Sequence, residues 1–239
     1  MKKLIKISFI LVLLVVTNNS FGQAFQKGNW NVDVGVGLGA YATQTTISVP
    51  IPILGTITST ANDGAASVMV PIGVEYGISN RFGLGVQLGF SNYFIDDSTE
   101  VKNPLTGQET GEMQENNTES VKSVDFALKF NFHLLEAEKN DLYVGLALGG
   151  SSITWQWKDV DNNNNSSQVE TLSGSGSYAS LYITDRIFFS DRFGIFFNLG
   201  YTVYNYSQVN SSSSSNSVIN SLKWNAKGVN IGTGLALKF

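Results

Sequence analysis

The sequence predicts an all-β chain of eight antiparallel strands closed as an up-and-down barrel. Three observations predict it. Apolar residues recur at every second position in eight segments, the connections between those segments alternate between short and long, and only 14% of the 239 residues are charged while 24 are glycine. Period two marks a strand with one apolar face. Alternating connection lengths put tight turns at one end of a meander and long loops at the other.

Residues 1–22 stand outside that barrel. "MKKLIK" is basic, "ISFILVLLVV" is a ten-residue apolar run, and "TNNSFG" is a polar exit with Ser20 and Gly22 at −3 and −1. This is the layout of a secretory signal peptide, and its apolar run is too short for a spanning helix. Cleavage after Gly22 is expected, with cleavage after Ala24 as the alternative, leaving 23–239 as one barrel domain. The chain has no cysteine, so it offers neither a lipoprotein anchor nor a disulfide. Loss of Lys2, Lys3 and Lys6 leaves 12 basic against 19 acidic residues, a net charge of −7. An acidic exported chain is not a nucleic-acid binder. No later segment approaches 18 continuous apolar residues, which excludes a transmembrane helix.

The strands follow in order. The first alternates Trp30, Val32, Val34, Val36, Leu38 and Ala40 with Asn31, Asp33, Gly35, Gly37, Gly39 and Tyr41. The second carries Val68 to Ile78 on even positions, the third Phe82 to Phe90, and the fourth Val124 to Phe132. The fifth begins with Leu142, Val144, Leu146 and Leu148, but Ile153, Trp155 and Trp157 are odd-numbered. That switch predicts a bulge near Gly149–Gly150. In the sixth, Ala179, Leu181 and Ile183 alternate, yet Asp185 falls on the apolar parity. The seventh runs from Phe193 to Val203 and the eighth from Val229 to the terminal Phe239.

Short turns are expected at Ser79–Arg81, Leu135–Asn140 and Ser190–Arg192, and long polar loops at Thr43–Ala65, Phe94–Lys122, Lys158–Leu172 and Asn205–Lys223. "DNNNNSSQ" and "NSSSSSNS" in the last two are low-complexity tracts expected to be disordered. "ISNRFGLG" at Ile78–Gly85 and "FSDRFGIF" at Phe189–Phe196 repeat one unit, a turn used twice at the same end of the barrel.

A soluble barrel alternates too, with its apolar face inward, so the polar face decides. It consists mainly of Gly, Ala, Ser and Asn with few Lys or Glu, which suits a narrow eight-stranded interior and not a solvated surface. Val, Leu, Ile and Phe on the other face match lipid. Trp30, Tyr76, Phe82, Phe132, Phe193 and Phe239 gather beside the short turns as an interfacial girdle. The barrel is therefore expected to span a membrane.

The terminal "VNIGTGLALKF", apolar at alternate positions and ending in Phe239, looks like the last strand of outer-membrane barrels. From end to end the mature chain resembles the small eight-stranded outer-membrane β-barrel proteins of the OmpX and OmpA-barrel type, often labelled "porin family". Its "SFGQ" export junction and Asn-rich loops are similar to those of Bacteroidota members. The resemblance implies residence in the outer membrane of a Gram-negative cell and contact with its lipids. It also implies assembly by the barrel-assembly machinery, with Phe239 as the signal. No peptidoglycan-binding domain is expected beyond Phe239.

Candidate chemistry is sparse. His133, the only histidine, falls near the short-turn end, away from where lipid-modifying barrels work, and a single His excludes a His-paired metal site. The Gly35/Gly37/Gly39 and Gly174/Gly176 runs open no helix, so they are inward glycines and not phosphate loops. No catalytic, cofactor or metal residue is assigned. The inward charges Asp33, Glu75, Asp125, Lys129, Arg186 and Lys238 are expected to form salt bridges that plug the lumen, with Asp33 and Lys238 pairing across the closing seam. The loop from Phe94 to Lys122 has a net charge of −5 and is expected to be solvated and disordered, although its carboxylates suit divalent cations.

The first function is thus a structural or surface-interaction barrel whose long loops meet an extracellular partner. The alternatives are a small-solute channel and, as a minor case, an accessory component of a secretion system. Because long loops face outward in this class, protease added to intact cells should cut within Asn162–Ser167 or Ser211–Asn216. Cleavage only after the outer membrane is permeabilised would reverse the orientation.

Overall fold

A backbone that crosses hydrocarbon must satisfy its own hydrogen bonds, and a sheet can do so only by closing on itself. The computed structural model describes residues 24–51, 55–95, 98–102, 109–115, 118–135, 137–160, 167–211 and 221–239. The expected signal peptide and most of the two low-complexity tracts lie outside the described residues. The strands are β1 (Trp30–Ile51), β2 (Gly55–Gly77), β3 (Phe82–Ile95), β4 (Ser98–Lys102), β5 (Glu109–Glu115), β6 (Thr118–His133), β7 (Asn140–Val160), β8 (Ser167–Phe188), β9 (Phe193–Ser211) and β10 (Ser221–Lys238). Eight of them close in the order β1-β10-β9-β8-β7-β6-β3-β2, all neighbours antiparallel, and β4 pairs with β5 alone. The seam of β1 with β10 runs from Asn31↔Lys238 to Ser48↔Ser221. Mutual hydrogen bonds between Trp30 and Phe239 extend it by one residue.

The apolar parity faces out. Val34, Val36, Leu38, Leu84, Phe126, Leu148, Leu199 and Ile231 are all exposed, while Asn31, Asp33, Glu75, Lys129 and Asn131 are buried inside. This inverts a soluble barrel and makes the chain a transmembrane β-barrel of the outer-membrane type. At its lower rim Trp30 packs on Tyr76 at 4.9 Å and Phe82 on Phe132 at 5.0 Å, as an aromatic girdle does.

The two copies of the repeated turn are built alike. Ser79 Oγ accepts the Phe82 N–H at 3.0 Å and Ser190 Oγ accepts that of Phe193 at 3.1 Å. Ile78 N–H bonds back to the Phe82 carbonyl, and Phe189 N–H to that of Phe193. The arginine carbonyl of each turn then receives the end of a neighbouring strand: Arg81 from His133 N–H at 2.8 Å, Arg192 from Lys238 N–H at 2.9 Å. One short sequence therefore closes two hairpins and stitches each to the next.

The long loops expected from the sequence are largely strand. β1 runs for 22 residues and β2 for 23, where a spanning strand needs about 9–11. The segment from Thr43 to Ala65 looked like a loop because Thr and Ser are frequent in it and Pro50 and Pro52 interrupt it. Instead Thr46 meets Thr60 at 3.3 Å and Ser48 meets Thr58 at 3.3 Å across the pair. Such cross-strand hydroxyl contacts help hold a strand pair together in water. In the acidic loop, Ser98–Lys102 and Glu109–Glu115 pair as a hairpin instead of remaining unstructured.

Above the apolar belt the strands continue into water, and their polarity turns over. Ile153, Trp155, Leu222, Trp224 and Val121 point inward and are almost fully buried. With Tyr41, Tyr93, Tyr204 and Tyr206 they fill the upper barrel as a soluble protein fills its core. This removes the bulge expected near Gly149–Gly150. The ladder passes through both residues without a shift, pairing Ala127↔Gly149 and Phe126↔Gly150 on one side, Gly149↔Tyr178 and Gly150↔Ser177 on the other. The apolar residues change sides because the surroundings change from lipid to water. True shifts lie elsewhere, opposite Ser175/Gly176 and opposite Leu222/Trp224, both through an extra residue in β9, and in β6 between Thr118 and Ser120. Pairing of β1 with β2 also lapses between Val34↔Ile72 and Gly37↔Met69, where Pro71 has no N–H to donate.

Val36 and Thr46 share the outer face of β1, one inside the belt and one above it. Val36→Arg should lower the free energy of unfolding in lipid vesicles by about 2–4 kcal/mol. Thr46→Arg should change it by less than about 0.5 kcal/mol. Equal losses at the two positions would contradict the placement of the membrane boundary.

Candidate functional site

Every strand of a narrow barrel sends alternate side chains to a common axis, so residues remote in sequence meet there. Arg186 of β8 sits at such a meeting point, fully buried. Its Nε and Nη2 donate to the two Asp33 oxygens of β1 at 3.0 and 2.7 Å, and Nη2 also donates to Glu75 Oε2 of β2 at 2.7 Å. Nη1 donates to Asp141 Oδ2 of β7 at 2.8 Å. The guanidinium lies over the Tyr143 ring at 4.5 Å, which adds a cation–π contact.

His133 of β6 completes the circle. Its Nδ1 contacts Asp141 Oδ1 and its Nε2 lies 2.9 Å from Glu75 Oε1. Both ring nitrogens therefore face carboxylates, which leaves neither to activate a nucleophile. Asn131 Nδ2 donates to Glu75 Oε1 at 2.7 Å, and Tyr182 OH donates to Asn131 Oδ1 at 2.6 Å. Gly83 is bare beneath Glu75 and Gly145 beneath Tyr182, where a Cβ would collide with these side chains. Small residues inside this barrel are thus the counterpart of large ones beside them.

The cluster is capped from below. Phe25 stacks on His133 with ring centroids 3.3 Å apart and planes within 6°. Ala24 N–H donates to the Ala137 carbonyl at 2.8 Å and Gly28 N–H to that of Gly77 at 2.8 Å, so the segment before β1 folds back across the mouth. Gly28, at φ 91, supplies the left-handed conformation this reversal needs.

Higher up, Asp125 is held by hydroxyls. Ser123 and Ser151 donate to its Oδ1, and Tyr204 OH to its Oδ2 at 3.1 Å. Between this group and the Arg186 cluster lies a cavity of about 70 Å³ lined by Asp33, Asp125, Lys129, Tyr178, Asn198 and Asn230, among others. Lys129 is buried with its ammonium 5.3 Å from the Tyr182 ring centre. Above Asp125 the aromatic core begins, with Tyr93 against Trp224 at 5.3 Å and Trp155 against Trp224 at 6.1 Å.

Of the six inward charges expected from the sequence, the fold joins Asp33, Glu75 and Arg186 directly. Asp125 and Lys129 line the chamber above them. The seam pair of Asp33 with Lys238 is not formed. Asp33 turns both oxygens to Arg186, and Lys238, opposite Asn31 in register, lies over the Phe188 ring at 5.1 Å. An arginine can reach across the lumen to its partner, which adjacency along the seam does not reveal. Sequence reasoning missed Asp141 and the partners of His133, although both share the inward parity of their strands. It also missed Phe25, whose segment carries no periodicity. Phe239 is exposed at the lower rim and exchanges backbone hydrogen bonds with Trp30.

Among solved structures, the chain is similar to the outer membrane protein OprG from Pseudomonas aeruginosa, with a TM-score of 0.53 at 15% identity over 90% of this chain and 97% of that one. The outer membrane protease OmpT from Escherichia coli matches with a TM-score of 0.49 at 10% identity over 94% of this chain and 100% of that one. Ail, the attachment invasion locus protein of Yersinia pestis, matches at 0.34 and 12% identity over 89% and 99%. Neither a family model nor a curated relative matches the sequence. At 15% identity the likeness to OprG establishes the outer-membrane barrel fold and nothing finer.

Removing one partner from a buried ionic cluster leaves uncompensated charge, which costs about 3–5 kcal/mol. Arg186→Met, which leaves Asp33, Glu75 and Asp141 without their guanidinium, should therefore lower the urea midpoint of the refolded barrel. Asp33→Asn added to Arg186→Met should recover part of the loss, a non-additivity read directly from a double-mutant cycle. Strictly additive losses would show that these two residues do not act together.

Proposed function

We propose that this barrel is a structural or surface-interaction protein of the outer membrane, with a closed lumen, no catalytic role, and its long strand extensions presented to the outside. The observation that carries the proposal is the Arg186 cluster. It ties β1, β2, β7 and β8 together across the lumen, and His133 brings in β6. Phe25 below it and the aromatic core above it close the same axis at two further levels. The pairing of both His133 nitrogens with carboxylates supports the absence of catalysis. Phe239, exposed at the rim beside Trp30, is the residue the barrel-assembly machinery would read.

The exposed end supports a role in contact. The strands rise well beyond the belt, and the β4–β5 hairpin adds an acidic element carrying Glu100, Glu109, Glu112 and Glu115. An extracellular partner would meet these surfaces. A small-solute channel is the second reading, favoured by the polar chamber of about 70 Å³, which has room for a handful of waters. It requires the Arg186 cluster, Phe25 and the aromatic core above them all to move apart.

Planar-bilayer recording separates the two. Wild-type protein should give no discrete conductance steps, and Arg186→Ala combined with Phe25→Ala should give none either, because the aromatic core above still closes the axis. Unitary steps from the wild type would replace the closed-lumen proposal with the channel.

A further inference from the structure

Four amide side chains stand in one row on the outer wall, just above the apolar belt. Register sets Asn62 of β2 beside Gln44 of β1, Gln44 beside Asn225 of β10, and Asn225 beside Asn205 of β9. Gln44, Asn205 and Asn225 face outward, because Thr43, Tyr204, Tyr206, Trp224 and Ala226 next to them are buried. Gln44 Nε2 donates to Asn62 Oδ1 at 3.1 Å, which puts the fourth amide on the same face. One outward step below, the same strands carry Gly64, Ala42, Lys227 and Val203, and the step after that, with Val229 and Tyr201, is already lipid-facing belt. With no more than a methyl group at Ala42, these rows leave a recess of about 350 Å³ lined by all four amides, Lys227 and Asp63, among others.

The charges around the recess favour an anion. Lys227 lies one outward step below Asn225 and Lys223 one step above it; both are exposed, and neither pairs with a carboxylate among the described residues. Asp63 Oδ1 accepts the Gly64 N–H at 2.8 Å, so the one carboxylate of the recess is tied to the backbone. The amides narrow the choice further. Each presents a donor and an acceptor side by side, which matches a sugar hydroxyl, itself both donor and acceptor. An ammonium matches a phosphate. A phospholipid headgroup would occupy the lysines and leave the amide row unused, and a free sugar would make no use of the apolar wall directly below.

We propose that this recess binds the phosphorylated sugar headgroup of an outer-leaflet glycolipid. Sugar hydroxyls lie on the amide row, phosphate meets Lys227 and Lys223, and the acyl chains run down the wall past Val229 and Tyr201. The proposal rests on the outward orientation of the strand extensions given above. A second copy docked by two-fold symmetry would set this patch against itself and bring its lysines together.

Lipid retention in nanodiscs tests the site apart from that orientation, which protease on intact cells tests alone. Refolded barrel in phosphatidylcholine nanodiscs, doped in turn with diphosphorylated lipid A, its dephosphorylated form or phosphatidylglycerol, is released into a mass spectrometer. Diphosphorylated lipid A should be retained about fivefold more than either of the other two, the ratio for one hydrogen-bonded contact or one lysine near an anionic surface. Lys227→Gln should lower its retention about fivefold. Asn225→Leu should lower it too, while leaving that of phosphatidylglycerol unchanged. Lys122→Gln removes an exposed lysine beside the belt residue Val124 on β6, on the opposite wall and away from the amide row, and should change nothing. Equal retention of diphosphorylated lipid A and phosphatidylglycerol by the wild type overturns the proposal. So does an equal loss from Lys122→Gln and Lys227→Gln, which would reduce the site to a general attraction of lysines for anionic lipid. A dimer trapped through Asn225→Cys that retains no lipid A would put a second copy in place of the glycolipid.

Discussion

Each strand of this barrel changes solvent partway along its length, and the rest of the structure follows from that change. Below the boundary the outer face meets hydrocarbon, so Val34, Val36 and Leu38 point out and polar groups must find partners inside. Above it the outer face meets water, so Gln44, Thr46 and Ser48 point out and tyrosine, tryptophan and aliphatic side chains turn to the axis. In β7 the crossover itself needs no break in the ladder: Gly149 and Gly150 stand where the two opposite hydrophobic patterns meet and are paired in register on both sides.

The lower half then faces a problem that the upper half does not. Its interior is polar, narrow and shielded by lipid, so each charge placed there loses hydration and must recover it from neighbours. Arg186 is suited to this because its planar fork presents donors in several directions at once. It reaches three carboxylates on three strands, which a lysine ammonium on a flexible stem could not satisfy with the same geometry. Such a cluster adds little net stability over an apolar core of equal volume. What it supplies is specificity: a one-residue slip of β8 would turn Arg186 out into lipid and leave Asp33, Glu75 and Asp141 facing one another.

How much of this was legible in the sequence depends on whether a feature is set by neighbours along the chain or across the axis. The eight-strand pattern, the outward face, the girdle and the repeated Ser-Asn/Asp-Arg-Phe-Gly turn are local, and the structure carries them as the sequence implied. The parity switch before Ile153 was visible but ambiguous, because a bulge and a change of surroundings leave the same trace in one sequence. The strand extensions were hidden because segments rich in Thr, Ser and Asn resemble a loop until cross-strand partners are known. Within the lumen the inward parity named the right charges, but parity gives no distance across the barrel. It therefore suggested Lys238 for Asp33 where Arg186 stands, and passed over Asp141.

The same distinction explains why the cap at the lower mouth left no sequence signal. A strand announces itself through repetition, whereas Ala24 and Phe25 occupy their places through single contacts: one ring on His133, one amide on Ala137, one reversal at Gly28. These contacts are nonetheless constrained by the lumen. His133 has its edges held by Glu75 and Asp141, so a ring face remains to be covered. A flat aromatic fits that face without needing a hydrogen bond, and Gly77 leaves room for the Gln26 carbonyl behind Phe25, with which a Cβ would collide. The cap is thus the last consequence of burying charge in a narrow barrel, since a polar cluster with one open face would admit the water that the strands around it exclude.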